Sequence, residues 1–268
     1  MRLTTWNINS VRLRLPQVEK FLAETAPDIL CLQEIKCRDD QFPRKALEAA
    51  GYPHQVVVGQ KGYHGVAIIS KHPFASTEPW SFCGKDDARH IAVTLEDGVQ
   101  IHNFYVPAGG DEPDPEINDK FAHKLDFVAE MTDRFKGLGK KAPIVLVGDL
   151  NIAPQEHDVW SHKQLLKVVS HTPVETDAMG KLIGAAPFID VMRELIPAEE
   201  KLYTWWSYRA RDWRASNRGR RLDHIWVTPP LRDRALAGGR EALQIHEAAR
   251  GWEKPSDHAP VTLNFAPA

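Results

Sequence analysis

Cysteine is scarce in this chain. Cys31, Cys37 and Cys83 are an odd set of three in 268 residues, without metal-site spacing. That excludes a disulfide framework and a cysteine-based zinc site, and it fits a reducing compartment with buried or idle thiols. Long apolar runs are also missing. Those present are strand-sized, so no segment reads as a membrane span, and the first ten residues, MRLTTWNINS, carry no apolar signal region. The expected location is the cytoplasm. There is no excess of basic charge: the formal net charge of −2 counts mildly against a nucleic-acid partner. Linkers, low-complexity tracts, short-period repeats, Gly-rich phosphate loops and Ser or Cys nucleophile motifs are absent. His157 and His162 do not share a helical face, which argues against a zinc pair.

What is present is enough apolar residue, 43%, for a sizeable core and many short strand-like runs. Strands are expected at 2–9, 28–34, 54–59, 65–70, 222–228, 242–246 and 261–265. A hairpin is expected around Asp97-Gly98 in HIAVTLEDGVQIHNFYVP. Helices are expected over 15–25, with Pro16 in its first turn, and from Pro115 to Phe135 with Asp114 as its cap. A third is expected around 186–196, and loops at Gly109-Gly110 and 137–141. Strands interspersed with helices and hairpins predict packed sheet layers with helices outside, in a single domain spanning residues 1–268.

The run Ile144-Val145-Leu146-Val147 reads as a strand buried on both faces, and it stops abruptly at Gly148, Asp149 and Asn151. Residues two apart share a side of a strand, so Asp149 and Asn151 project together where the chain leaves the sheet. Either they close a turn on their own backbone, or they belong to a site at the sheet edge.

Other polar residues fall at strand ends too: Asn7 and Asn9 in TTWNIN, Glu34 in ILCLQE, Tyr105 in NFYVP, Asp223 in RRLDHIWV, and Asp257 and His258 in KPSDHAPV. Singly, each has a structural explanation. Together they supply what phosphodiester hydrolysis needs. Glu34 is the candidate ligand for a hard divalent cation such as Mg²⁺, which takes carboxylate oxygens. Asp149 can accept the proton of an attacking water, and Asn151 can hold that water and the Asp149 side chain. His258, Asn7 and Tyr105 can donate to phosphoryl oxygens, with Asp223 orienting His258. Between 209 and 221 the chain carries Arg209, Arg211, Arg214, Arg218, Arg220 and Arg221 against the lone acid Asp212, beside Tyr203, Trp205, Trp206, Tyr208 and Trp213. This segment is either a solvated loop or a phosphate-backbone groove with stacking surfaces.

The motifs WNIN, LQE, NFYVP, VGDLN, NRGRRLDHI and SDHAP resemble, in order, those of the exonuclease III family of abasic-site endonucleases, within the endonuclease/exonuclease/phosphatase superfamily. They run from residue 6 to residue 260. The resemblance implies a DNase I-like four-layer α/β sandwich, two packed central β-sheets flanked by helices. It implies Mg²⁺- or Mn²⁺-dependent cleavage of double-stranded DNA 5′ to abasic sites, with 3′-5′ exonuclease and 3′-end-trimming activity, by a monomer. It assigns Glu34, Asn7 and Asp257 to the metal and Asp149 and Asn151 to the water. Asp223, His258 and Tyr105 fall to the phosphate, and Trp205 and Leu222 to a pocket for the extruded sugar. Two departures stand out. YVPAGGDEPDP offers acids and prolines where some relatives insert an arginine into the duplex, and Arg220 stands where another relative type has Trp. The alternative is a phosphodiesterase or phosphatase of the same superfamily acting on a lipid or small phosphate ester, which would not need the extended arginine–aromatic surface.

Overall fold

Two six-stranded mixed sheets lie face to face in the computed structural model, which describes residues 1–136, 138 and 141–267. The first runs, in spatial order, through Leu243–Ile245, Val261–Asn264, Arg2–Asn7, Ile29–Gln33, Val66–Ser70 and His54–Val58. The second runs through Phe74–Glu78, His90–Leu95, Gln100–Tyr105, Ile144–Asp149, Asp223–Val227 and Ile189–Asp190. A short two-stranded ribbon, Trp205–Trp206 with Gly219–Arg220, stands apart.

The alternation of side chains along each strand explains the layers. In the Ile144–Asp149 strand, Val145 and Val147 point into the seam between the sheets, against Ile101, Ile225, Leu3 and Val261. Ile144 and Leu146 point the other way, beneath the Asp119–Lys136 and Pro173–Ala185 helices, among Phe127, Met131 and Leu182. The first sheet repeats the pattern, with Leu30 and Leu32 packed against Val18, Phe21 and Leu22 of the Leu15–Thr25 helix. Such a strand is continuously apolar because both of its faces are covered. Each buried aliphatic side chain contributes about 1.5–3 kcal/mol. The result is the four-layer α/β sandwich that the family resemblance implies.

Several boundaries differ from expectation. The long helix starts at Asp119, not Pro115. Asp114 closes a preceding turn by accepting from the Glu116 N–H, Asn118 caps the helix by accepting from Lys120 N–H, and Ile117 is exposed. The helix expected around 186–196 is only Val191–Leu195. A longer one, Pro173–Ala185, comes before it, capped by Thr172 and Glu175 with Pro173 in its first turn. The Phe74–Glu78 edge strand, mostly exposed, lacks the apolar alternation that would announce it. The loop read at 137–141 falls largely outside the described residues. Among the described residues no helix is long and apolar enough to cross a membrane.

Arg221 is a correction. The sequence pattern puts it on a DNA-binding surface, but it is fully buried. Its Nε and Nη2 donate to the two oxygens of Asp158 at 2.9 and 2.8 Å, and its Nη1 donates to Asp190 at 2.7 Å. Arg193 adds a second cation to Asp158. The reason is period two: in an extended segment Arg220 and Leu222 share one side, and Arg221 faces the other.

Burial pushes the Asp158 carboxyl up, but Arg221 and then Arg193 outweigh it and hold it below its ordinary 3.8. As pH falls the unfolded chain is therefore protonated first. The contribution of the pair is complete above 3.8 and is lost as pH drops through the lower folded value. Asp158→Asn should cost about 3–5 kcal/mol near neutrality, and the deficit should shrink at acid pH. Denaturant unfolding at pH 7 and at pH values under 3.8 measures it; a deficit independent of pH would contradict this account.

Candidate active site

Strand register gathers the polar ends. Tyr105 pairs in parallel with Asp149, and Asp223 is the antiparallel partner of Asp149 on its other side. Asn7 ends the central strand of the first sheet, opposite Gln33. Gly148 (φ 136°) lies so close to the neighbouring strand that a Cβ there would strike the Phe104 carbonyl oxygen. The loop before the last strand is tied down by Ser256, whose hydroxyl donates to the Asn7 carbonyl at 2.6 Å and accepts from the His258 N–H. Six distant segments thus meet at one edge of the sandwich.

His258 is the centre of the cluster. Its Nδ1 lies 2.8 Å from Asp223 Oδ2, which also accepts from the Thr204 hydroxyl at 2.6 Å. Its Nε2 lies 3.6 Å from Asp149 Oδ2. Burial works against the imidazolium, but Asp223 and Asp149 overcome it and push its pKa up to about 10. Asp149 is raised to about 7, first by burial and then by Asp223 and Glu34, against the opposing pull of His258 and Asn7. The Asn151 N–H donates to Asp149 Oδ1 at 3.0 Å, and Asn151 Nδ2 donates to the Val106 carbonyl at 2.9 Å and to Asp149 Oδ2 at 3.2 Å. The Asn7 amide bridges two acids, donating to Glu34 at 2.9 Å and to Asp149 at 2.8 Å. Glu34 also pairs with Lys36 at 2.9 Å. Burial raises the Glu34 carboxyl, but Lys36 and Asn7 bring it below its ordinary value. Burial, then Glu34 and Asp149, keep the Tyr105 phenol protonated.

A cavity of about 640 Å³ opens over this cluster. Glu34, Tyr105, Asp149, Asn151, Asp257 and His258 line its floor, and Trp205, Leu222, Arg209, Arg218 and Arg220 line its walls. Asn7 and Asp223 are buried behind it. Asp257 turns both oxygens to protein donors, Trp205 Nε1 at 2.9 Å and Asn9 Nδ2 at 3.1 Å. Arg211 and Arg214 are exposed outside it.

Some participants escaped the sequence reading. Lys36 and the wall formed by Trp160 and Val168–Ser170 are two. A third is Lys124, fully buried and ion-paired with Glu175. Its ammonium donates to the Asn151 carbonyl at 2.8 Å, bracing the turn that carries Asn151 at φ 54°. The signal was a lysine three residues after Phe121 and four before Val128, on the apolar stripe of its helix.

The donors fit a hard divalent cation. They are carboxylate and amide oxygens, with no thiolate. Asp149 and Asp223 bring carboxylate oxygens within 4.8 Å of each other and of the His258 ring, and Glu34 adjoins them through Asn7. Four carboxylates (Glu34, Asp149, Asp223, Asp257) face two cations in the cluster, Lys36 and His258, which leaves it short of positive charge.

Comparison with known proteins finds relatives over nearly the whole chain. The model of the "Endonuclease/Exonuclease/phosphatase family" matches residues 4–258. Exodeoxyribonuclease III of Haemophilus influenzae is 33% identical, covering 99% of this chain and all of that one. The 3′-5′ exonuclease NExo of Neisseria meningitidis superposes with a TM-score of 0.87 at 34% identity, over 99% of this chain and 100% of that one. An AP endonuclease from Archaeoglobus fulgidus does so with a TM-score of 0.89 at 31% identity, over 99% of each chain. The chain belongs to the endonuclease/exonuclease/phosphatase family, on its exonuclease III branch of phosphodiester-cleaving nucleases.

Proposed function

We propose that this protein is a divalent-metal-dependent DNA repair nuclease that cuts 5′ to abasic sites and trims 3′ ends. The supporting observation is that one cavity joins the buried Asp149–His258–Asp223 cluster to a wall of tryptophans and arginines. A small or lipid phosphate would not require that wall. The unit is the whole chain, 1–268, acting as a monomer in the cytoplasm.

Glu34, with Asn7 and Asp257 beside it, would hold the ion, Mg²⁺ or Mn²⁺, which when bound neutralises the phosphate and acts as a Lewis acid. Asp149 takes the proton of the attacking water, since a carboxyl titrating near 7 suits a general base at neutral pH. Asn151 fixes that carboxylate and the water. His258, protonated at neutral pH, donates to the phosphoryl oxygens instead of taking a proton. Asp223 holds its ring, and Tyr105 adds a second donor. Trp205 and Leu222 receive the extruded sugar, which has no base to unstack. Arg209, Arg211, Arg214 and Arg218 follow the phosphate backbone.

A labelled duplex with one abasic analogue should be cut with Mg²⁺ and not with chelator; intact DNA in both removes this reading. Asp149→Asn should lower turnover by about 10²–10⁴-fold while abasic-duplex affinity holds; loss of both together makes Asp149 structural. Lys124→Met should lower kcat about tenfold or more, through misplacement of Asn151, with KM little changed. A stability loss at unaltered kcat would confine Lys124 to the core. Arg211, Arg214 and Arg218 all changed to Ala should flatten the salt dependence of binding by about 0.9 for each DNA phosphate no longer neutralised; an unaltered slope returns the segment to solvent.

A further inference from the structure

Behind Tyr105 lies a buried cation to which the proposed chemistry gives no part. Arg89 stands just before the His90–Leu95 strand. It is tied to Tyr105 in both directions. The Tyr105 N–H donates to the Arg89 carbonyl at 2.8 Å, and Arg89 Nη1 donates to the Tyr105 carbonyl at 3.3 Å. The guanidinium also lies over the Tyr105 ring, 5.0 Å from its centroid. Its Nε donates to Asp87, which supplies the opposite charge and also lies 3.4 Å from His123 Nε2. Its Nη2 lies 2.9 Å from His64 Nε2.

A guanidinium has donors and no acceptor, so in this contact His64 Nε2 accepts. The imidazole is therefore neutral, with its proton on Nδ1. The other edge of the ring agrees: Nδ1 faces two acceptors, Gln60 Oε1 and the Asp87 carbonyl, each at 3.1 Å. Burial and then the Arg89 charge favour the neutral ring. His64 has φ 47°, its carbonyl accepts from the Lys36 N–H at 2.9 Å, and the next N–H, that of Gly65, donates to the Ala88 carbonyl at 3.0 Å. The ring is thus anchored to the turn that carries Glu34 and to the segment that carries Arg89. Its side chain stands outside the cavity lining, so its effect on cleavage passes through another residue. A phenol donates usefully only when its ring is held in place, since a misplacement of about 1 Å can cost about 10²-fold. We propose that His64 is a positioning residue for the Tyr105 donor: it accepts from Arg89 and so sets the guanidinium that fixes the Tyr105 ring and carbonyl. The inference rests on the donor role proposed for Tyr105.

The test is a double-mutant cycle on cleavage of the abasic duplex with Mg²⁺. Tyr105→Phe should lower kcat about 10–100-fold, the loss of one hydrogen bond to a charged oxygen. His64→Leu should lower kcat about tenfold with KM little changed. In the Tyr105→Phe background, His64→Leu should change kcat by no more than about twofold, because the hydroxyl it would misplace is gone. His64→Gln, which keeps an acceptor on the same backbone, should recover most of the loss. A fall from His64→Leu that is equal in both backgrounds overturns the proposal and makes the residue structural. So does a wild-type kcat in His64→Leu, or a His64→Gln protein as slow as His64→Leu. A rise in KM at constant kcat also overturns it and would turn the Arg89 cradle into a DNA contact. In all of these Tyr105→Phe is still slow and the donor reading stands. If Tyr105→Phe keeps the wild-type kcat, the donor reading falls and the positioning role falls with it.

Discussion

The site depends on an imidazolium that cannot leave water unless it is matched. His258 is buried, and what holds its charge there is Asp223 at 2.8 Å and Asp149 at 3.6 Å. Those two acids face each other because their strands pair antiparallel in one register. A slip of one residue would turn both side chains to the opposite faces and strand the charge. Breaking a buried pair from one side costs about 3–5 kcal/mol. The electrostatics of the cluster and the register of the second sheet are therefore one constraint. Asn7 carries it across to the first sheet by bonding Asp149 and Glu34 with a single amide. Just beneath, Gln33 donates to Thr5 and Asn103, and Asn103 donates to carbonyls of two strands of the first sheet. These polar stitches cross an otherwise apolar seam and fix the two sheets relative to each other where the site needs it.

Around this cluster the backbone is strained. Glu34, Lys36, Asn9 and Asn151 all adopt positive φ without being glycine. Each such residue costs of order 1–3 kcal/mol and persists only where its surroundings over-determine it. Here Lys36 bonds both Glu34 and the Asn9 side chain, and Lys124 holds the Asn151 carbonyl. Both lysines act on backbone turns as much as on charge. The strain lets side chains at strand ends converge on one point, which a regular strand, alternating its residues between two faces, cannot do.

The sequence exposed the parts of this plan that obey a short period or sit next to each other. The layered sheets were legible because Ile144–Val147 and its counterparts are apolar on both faces. The convergence of Glu34, Asp149 and His258 in one cavity could be anticipated because strand ends share a sheet edge. Partnerships made through space were not legible. Nothing local separates Arg220 from Arg221, yet one faces the cavity and the other is sealed between Asp158 and Asp190. Lys124 stands on the apolar stripe of its helix, but its partner Glu175 lies 51 positions on and nothing local points to it. The Pro173–Ala185 helix has its own cap and proline, but its weak apolar stripe hid it.

The formal charge of −2 misled for a related reason. It averages over the chain and hides a local division around the cavity. Carboxylates are collected inside, around Asn7 and His258, where they set proton affinities and offer oxygens to a cation. Arginines are collected on the rim and wall, where they face solvent or aromatic rings, as Arg218 does over Trp160 and Arg214 over Trp213. An anionic polymer approaching this face meets the basic rim first, and only its scissile phosphate goes on to the acidic floor. That step is unfavourable for a bare phosphate against bare carboxylates, and a divalent cation held on the floor would offset it. Attraction of an anionic polymer and a demand for a cation at the floor would then have one source, a basic rim around an acidic floor, that a net charge near zero conceals.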